Sequence, residues 1–175
     1  MKKYIGIAIV SVFLSCSGSG NKSENQTDST LVAVDSSVVA PVKPDDPQVA
    51  NIYSSYIDLK DNLIASNYEA SKSSAKTLLL SLKEKEGCES TALLAEKIVT
   101  AKDIATQRKE FTFLSSDVIA MFKHTDLLSG TIYVQHCPMA NKGNGGDWLS
   151  SEKNVRNPYY GDEMMECGAV VEEIK

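Results

Sequence analysis

Soft donor atoms are concentrated in the last third of this chain. His136, Cys137, Met139, Met164, Met165 and Cys167 stand there, and beyond residue 47 the other Cys, Met and His residues are Cys88, Met121 and His124. Pro138 biases Cys137 towards extended backbone, because its ring crowds the residue before it. Side chains two apart share a face of an extended chain, so Cys137 and Met139 are expected to point the same way. Met164 and Cys167 are three apart and would share a face if residues 162–168 form a short helical turn. Two such pairs brought together make a thiolate and thioether site, whose soft donors select Cu(I) or Ag(I) over hard cations. The ligand set read from the chain is therefore Cys137 and Cys167, with Met139 and Met164 as softer donors and His136 as a further candidate. Alternation groups His136 with Ile132 and Val134, apart from Cys137. If the apolar pair faces a core, His136 faces inward too, as a ligand or as a buried, hydrogen-bonded histidine.

Two plainer uses of the same residues compete. A Cys137–Cys167 disulfide would close a loop of about 30 residues, contributing roughly 3 to 4 kcal/mol in the chain-entropy picture. It would also consume the thiolates, so the two states exclude each other at any one moment. The methionines can equally serve as core filler; Met165, directed away from Met164, suits that role. No enzyme is expected. Gly-x-Ser-x-Gly and His-Glu-x-x-His are absent, and there is no Cys-x-x-Cys of the redox type. His136 and Cys137 are adjacent and diverge in an extended chain, so they cannot be taken as a catalytic dyad. The glycine-rich run 141–147 lacks the Lys-Ser/Thr and following helix of a phosphate-binding loop and reads as a plain flexible loop.

The elements that must position these residues read as mainly α. Val49, Ile52, Tyr53, Tyr56, Ile57, Leu63 and Ile64 form one stripe at spacings of three and four, opened by Asp45, Asp46 and Pro47. Asn67 suits an N-cap for a second helix that buries Ala70, Ala75, Leu78, Leu79 and Leu82. Lys83, Lys85 and Gly87 end that helix, with Cys88 in the loop beyond. Residues 90–123 form one long helix or two with a bend near Lys102 and Asp103; the bend is the preferred reading. His124, at the end of that stretch, suits a helix C-terminus. Short connections favour an antiparallel bundle. After Gly130 the alternating residues 131–136 predict a short extended segment, Trp148-Leu149 a core anchor, and residues 157–161 a turn. The expected architecture is an antiparallel helical bundle with an irregular C-terminal cap containing that extended segment.

Residues 1–15 have the form of a secretory signal. Lys2 and Lys3 precede an apolar run from Ile5 to Leu14 that is shorter than the roughly 20 residues a bilayer span needs. Phe13-Leu14-Ser15-Cys16 is similar to a bacterial lipobox, which marks Cys16 for lipidation and predicts a membrane anchor. Residues 16–47, polar and then proline-bearing, read as a disordered tether, and residues 48–175 as one folded domain. The net charge of −5, without a cluster of Lys or Arg, argues against nucleic acid, whose binding rests on phosphate neutralisation. The expected location is the cell envelope, at the outer membrane facing the periplasm.

Several strings together resemble an uncharacterised bacterial envelope domain: Tyr133-Val-Gln-His-Cys-Pro-Met-Ala140, Trp148-Leu-Ser150, Asn157-Pro-Tyr-Tyr-Gly161 and Met164-x-x-Cys167-Gly168. The helical residues Asp103-Ile104, Gln107-Arg108-Lys109, Phe111 and Leu114-Ser115 are similar to the same family. That domain occurs alone behind a signal and also fused to periplasmic adaptor subunits of copper- and silver-type heavy-metal efflux pumps. The resemblance implies metal handling, with such an adaptor as a partner. Cys-Pro-Met is also similar to a string in small heavy-metal-binding domains, although Ala140 stands where those carry a histidine. Cys88 belongs to no matching motif. The function expected is sequestration of Cu(I) or its transfer to an efflux system. The alternative is an interaction module locked by the Cys137–Cys167 disulfide, with Trp148, Tyr159 and Tyr160 as candidate contacts.

Overall fold

Capping and periodicity lay out the helical half. In this computed structural model, which describes residues 40–175, α1 spans Pro47–Ile64, α2 Tyr68–Glu84, α3 Glu89–Thr100 and α4 Ile104–Phe122. The signal segment, Cys16 and the tether up to residue 39 lie outside the described residues. The side chain of Asp46 accepts the Gln48 N–H at 2.7 Å, and Pro47 begins α1 where its missing donor is no loss. Asn67 caps α2 through the Ala70 N–H. Asp103, extended at φ −156°, accepts the Thr106 N–H at 2.7 Å and starts α4 afresh. The bend expected near Lys102 and Asp103 is thus a full break over residues 101–103.

Each helix packs on the one before it, as short connections require, and the result is a mainly α bundle. Ile52, Tyr56, Leu59 and Leu63 of α1 meet Leu78 and Leu82 of α2 and Phe111, Leu114 and Phe122 of α4 in one core. Aromatic contacts join α1 to α4: Tyr53 lies 5.3 Å from Phe122 and Tyr56 5.5 Å from Phe111, centroid to centroid. Cys88 lies in the loop between α2 and α3, as read from the sequence, with its side chain turned into that core. No helix among the described residues is long and apolar enough to cross a membrane.

The cap is more regular than expected. β3 (Ile132–Cys137) is the centre of a three-stranded antiparallel sheet between β4 (Gly146–Ser150) and β5 (Ala169–Ile174). A second small ladder joins β1 (Lys43–Pro44) to β2 (Leu127–Ser129). The fold therefore includes residues whose composition reads as tether. Pro44 is buried, Asp45 N–H donates to the Asp126 carbonyl at 3.1 Å, and Ser129 hydroxyl donates to the Pro41 carbonyl at 2.8 Å. Proline is tolerated there because a two-residue edge pairing asks little of its missing donor. The described residues fall within one compact unit that has its own core.

Candidate functional site

The sheet is fastened to the helices by one buried hydroxyl. Tyr56 of α1 shares a 2.6 Å hydrogen bond with Ser115 of α4 and accepts the Leu149 N–H of β4 at 3.1 Å. Residues directly opposite in an antiparallel ladder share a face, so the register sorts the sheet into two sides. Val134 and His136 lie opposite Leu149 and Asp147, whereas Gln135 and Cys137 lie opposite Trp148 and Gly146. Cys137 therefore belongs with Trp148, and His136 is on the other side. Gln135 is buried and its amide donates to the carbonyls of Glu152, Lys153 and Asn154, which pins the start of segment 151–168.

Asn157, fully buried, organises the rest of that segment. Its N–H donates to the Met165 carbonyl, its side-chain oxygen accepts the Tyr159 N–H, and its amide nitrogen donates to the Cys167 carbonyl, each at 2.8 Å. The Cys167 N–H also closes a turn onto the Met164 carbonyl at 3.1 Å. Gly168 then passes against β3. A Cβ at this position, where φ is +143°, would sit 2.6 Å from the His136 carbonyl oxygen and 3.1 Å from the Trp148 ring. Only glycine lets the chain run this close, and the close run delivers the second thiol. The Cys137 and Cys167 sulfurs stand 3.4 Å apart, Cys137 buried and Cys167 half-buried. The Cys167 thiol is held above its ordinary range, first by its hydrogen bond with Cys137 and then by burial, so it carries its proton at neutral pH.

The other predicted donors are placed differently. β3 ends at Cys137, and Met139 takes helical backbone angles (φ −87°, ψ −14°) within a turn. The extended geometry that would align it with Cys137 is therefore absent, and its side chain is half exposed. The 3₁₀ turn closes at Glu163, with Met164 beyond it at φ −150° and ψ 55°. Met164 and Cys167 are consequently the two ends of a tight turn rather than neighbours on a helix face. His136 is half exposed instead of buried, and its Nδ1 lies 2.7 Å from Asp147 Oδ1. Among the described residues no three His, Cys, Asp or Glu side chains gather as a metal-binding group. Trp148 and Tyr159 are core, 6.0 Å apart in an edge arrangement, and Tyr160 donates its hydroxyl to the Met139 carbonyl at 2.6 Å.

What the arrangement can do is limited by its two sulfurs. A disulfide needs about 2.05 Å between them, so the pair would close by roughly 1.3 Å. Metal–thiolate bonds of about 2.3 Å span up to about 4.6 Å in a straight S–metal–S unit, so the pair would open by at most roughly 1.2 Å. Cys167, next to a glycine and on the accessible side, is the half able to make either move. Gln135, Asn157 and Gly168 are the positioning residues that chain reading alone passed over. The signal for two of them was present in the Asn157-Pro and Cys167-Gly168 strings.

Residues 52–130 match a family described as protein of unknown function (DUF3347). That region takes in most of α1, all of α2, α3 and α4, and β2, and stops short of both cysteines of the pair. No curated protein matches the chain, and no solved structure does.

Proposed function

We propose that Cys137 and Cys167 form a two-thiolate site for a soft monovalent ion, Cu(I) or Ag(I). The chain would be an envelope lipoprotein, anchored through Cys16, that sequesters the ion or passes it to an efflux system. The observation that carries this reading is the 3.4 Å approach of two thiols from segments 30 residues apart, with no group of three His, Cys, Asp or Glu gathered among the described residues. Hard cations ask for several oxygen ligands, and zinc sites for three or four protein donors. A pair of sulfurs suits a soft ion that accepts few ligands. Met164 stands at the other end of the turn that closes on Cys167, and Met139 follows Cys137 by two residues. His136 is not assigned as a ligand, since it pairs with Asp147 on the other side of the sheet.

An anaerobic Cu(I) titration of the reduced chain against a competing chelator tests this, beside the Cys137→Ser/Cys167→Ser variant. One-to-one binding that the variant loses is the expected result. No binding by fully reduced protein would overturn the metal reading. The burial of Cys137 favours one second reading, a structural disulfide in an interaction module that docks on an envelope protein. In that case thiol counting finds the two cysteines protected until a reductant is added, whatever the ion.

A further inference from the structure

A cleft of about 920 Å³ opens between the first half of α4 and the β3–β4 connection, with residues 159–163 along its edge. It is separate from the two thiols, none of whose atoms line it. Three cations line it, Arg108 and Lys109 from α4 and Lys142 from the connection, against a single carboxylate, Glu163. Among the described residues none of the three has a carboxylate within 4.0 Å, whereas five other lysines do. Arg108 spends its donors on neutral oxygens: the Pro158 carbonyl at 2.9 Å, the Leu63 carbonyl at 3.0 Å and the Ser66 hydroxyl at 2.8 Å. Its charge is half-buried and has no carboxylate in contact, the acidic groups that act on it being Glu163 and Asp162, on a chain whose net charge is −5. Burial lowers its proton affinity, though an arginine stays charged at any physiological pH.

The connection itself is built rather than slack. Asn141 and Lys142 both adopt left-handed backbone, at φ 53° and 60°, which for such residues costs of order 1 kcal/mol or more each. Asn141 is fixed there by hydrogen bonds to Thr112 of α4 at 2.9 Å and to the Gly145 carbonyl at 2.8 Å. The loop read as plain and flexible therefore holds Lys142 against the cleft in a strained conformation. Beside the cations the lining includes apolar groups: Ile104 and Phe113, each one helical turn from Arg108 or Lys109 on α4, and the ring of Tyr160. Phe113 is half exposed at 53%, which leaves its ring free to meet a molecule in the cleft. The size falls in the range of small-molecule sites, which pair apolar walls with a few placed polar groups.

The geometry points to a binding site for a small organic anion, a sulfonate or carboxylate carried on an apolar body. The anion would sit among Arg108, Lys109 and Lys142, and the body against Ile104 and Phe113. The test titrates the full chain, with Cys16→Ser to remove the acylation site, with anilinonaphthalene sulfonate. The neutral N-phenylnaphthylamine and inorganic sulfate serve as the two comparison probes. Saturable one-to-one binding of the sulfonate is expected, weakened at least about tenfold by Lys109→Glu/Lys142→Glu and weakened by salt. Lys83→Glu/Lys97→Glu, on α2 and α3, should leave it unchanged. Both lysine pairs are exposed, so unfolding temperatures near that of the parent chain check that all variants are folded. Equal affinity for the neutral probe, equal affinity for bare sulfate, indifference to the cleft variant, or absence of saturable binding would each overturn the assignment. None of these outcomes depends on whether the two thiols bind copper.

Discussion

Substituting Gly168 by alanine should damage both the fold and the thiol pair, by an amount the structure allows to be worked out. The new methyl group would stand 2.6 Å from the His136 carbonyl oxygen, whereas carbon and oxygen ordinarily approach to about 3.3 Å. The backbone must therefore retreat by roughly 0.7 Å. Positive φ adds about 1 to 2 kcal/mol for a residue with a Cβ, and crowding a packed site typically adds 1 to 3 kcal/mol more. A total near 2 to 5 kcal/mol would lower the unfolding temperature of a domain this size by roughly 6 to 20 °C. Gly87→Ala is the control, because Gly87 also has positive φ (+83°) but nothing within 4 Å of its Cβ position. It should lose only the backbone part, about 1 kcal/mol. Because Cys167 directly precedes Gly168, the retreat also pulls the sulfurs apart. Diamide oxidation of the folded, reduced protein should then close the Cys137–Cys167 bond several times more slowly in Gly168→Ala than in Gly87→Ala. Equal unfolding temperatures for the two variants, with equal oxidation rates, would refute the claim that close approach at Gly168 is what delivers the second thiol.

Two further outcomes follow from the placement and protonation of the same residues. His136→Ala should change Cu(I) affinity by less than about threefold, since its ring pairs with Asp147 on the side of the sheet away from Cys137; a tenfold loss in the chelator competition would show that the ring reaches the ion. Burial holds the Cys88 thiol above its ordinary value of 9.0, and Cys167 is raised by Cys137 and then by burial. Each binds its proton more tightly folded than unfolded, so their contribution is fully present below about pH 9 and is lost as pH climbs through the raised folded values. Urea midpoints of the reduced protein should fall above about pH 9, and a Cys88→Ala/Cys167→Ala variant should show a shallower fall. A midpoint that rises with pH in that window would contradict the assignment.

The helical half was legible because each helix carries its own signals. Asp46, Asn67 and Asp103 are capping residues that the backbone uses as caps, and the apolar stripe from Val49 to Ile64 is buried where a period near 3.6 places it. Of the three-stranded sheet only β3 was legible, from the alternation of residues 131–136. β5 pairs only with β3 and leaves Ala169, Val171, Glu172 and Glu173 exposed, so no alternation marks it. β3 itself is buried on both faces, Val134 opposite Leu149 and Gln135 opposite Trp148, and its register shift against β5 falls between these two residues. Pairing of the two cysteines could be proposed from composition. The positions of Met139, Met164 and His136 could not, because they depend on where β3 ends and on a turn that closes after Glu163.

The charge on the pair connects its burial to the two readings. Two thiolates holding one monovalent ion carry a net charge of −1, and a charge in an apolar interior is costly unless it is hydrogen-bonded or hydrated. Cys137 is fully buried, and the donors of Gln135 and Asn157 are directed to carbonyls rather than to sulfur. The relief must therefore come from the side of Cys167, which is half exposed. An ion held this way has one deep ligand and one at the surface, so it can be exchanged from the Cys167 side without opening the core. A disulfide carries no charge and meets no such cost, which makes it the state favoured whenever an oxidant arrives before the ion. On the proposed metal reading, the same 3.4 Å pair would link metal loading to the redox state of its surroundings. A chain that carries copper must keep Cys137 and Cys167 reduced until the ion has replaced their protons.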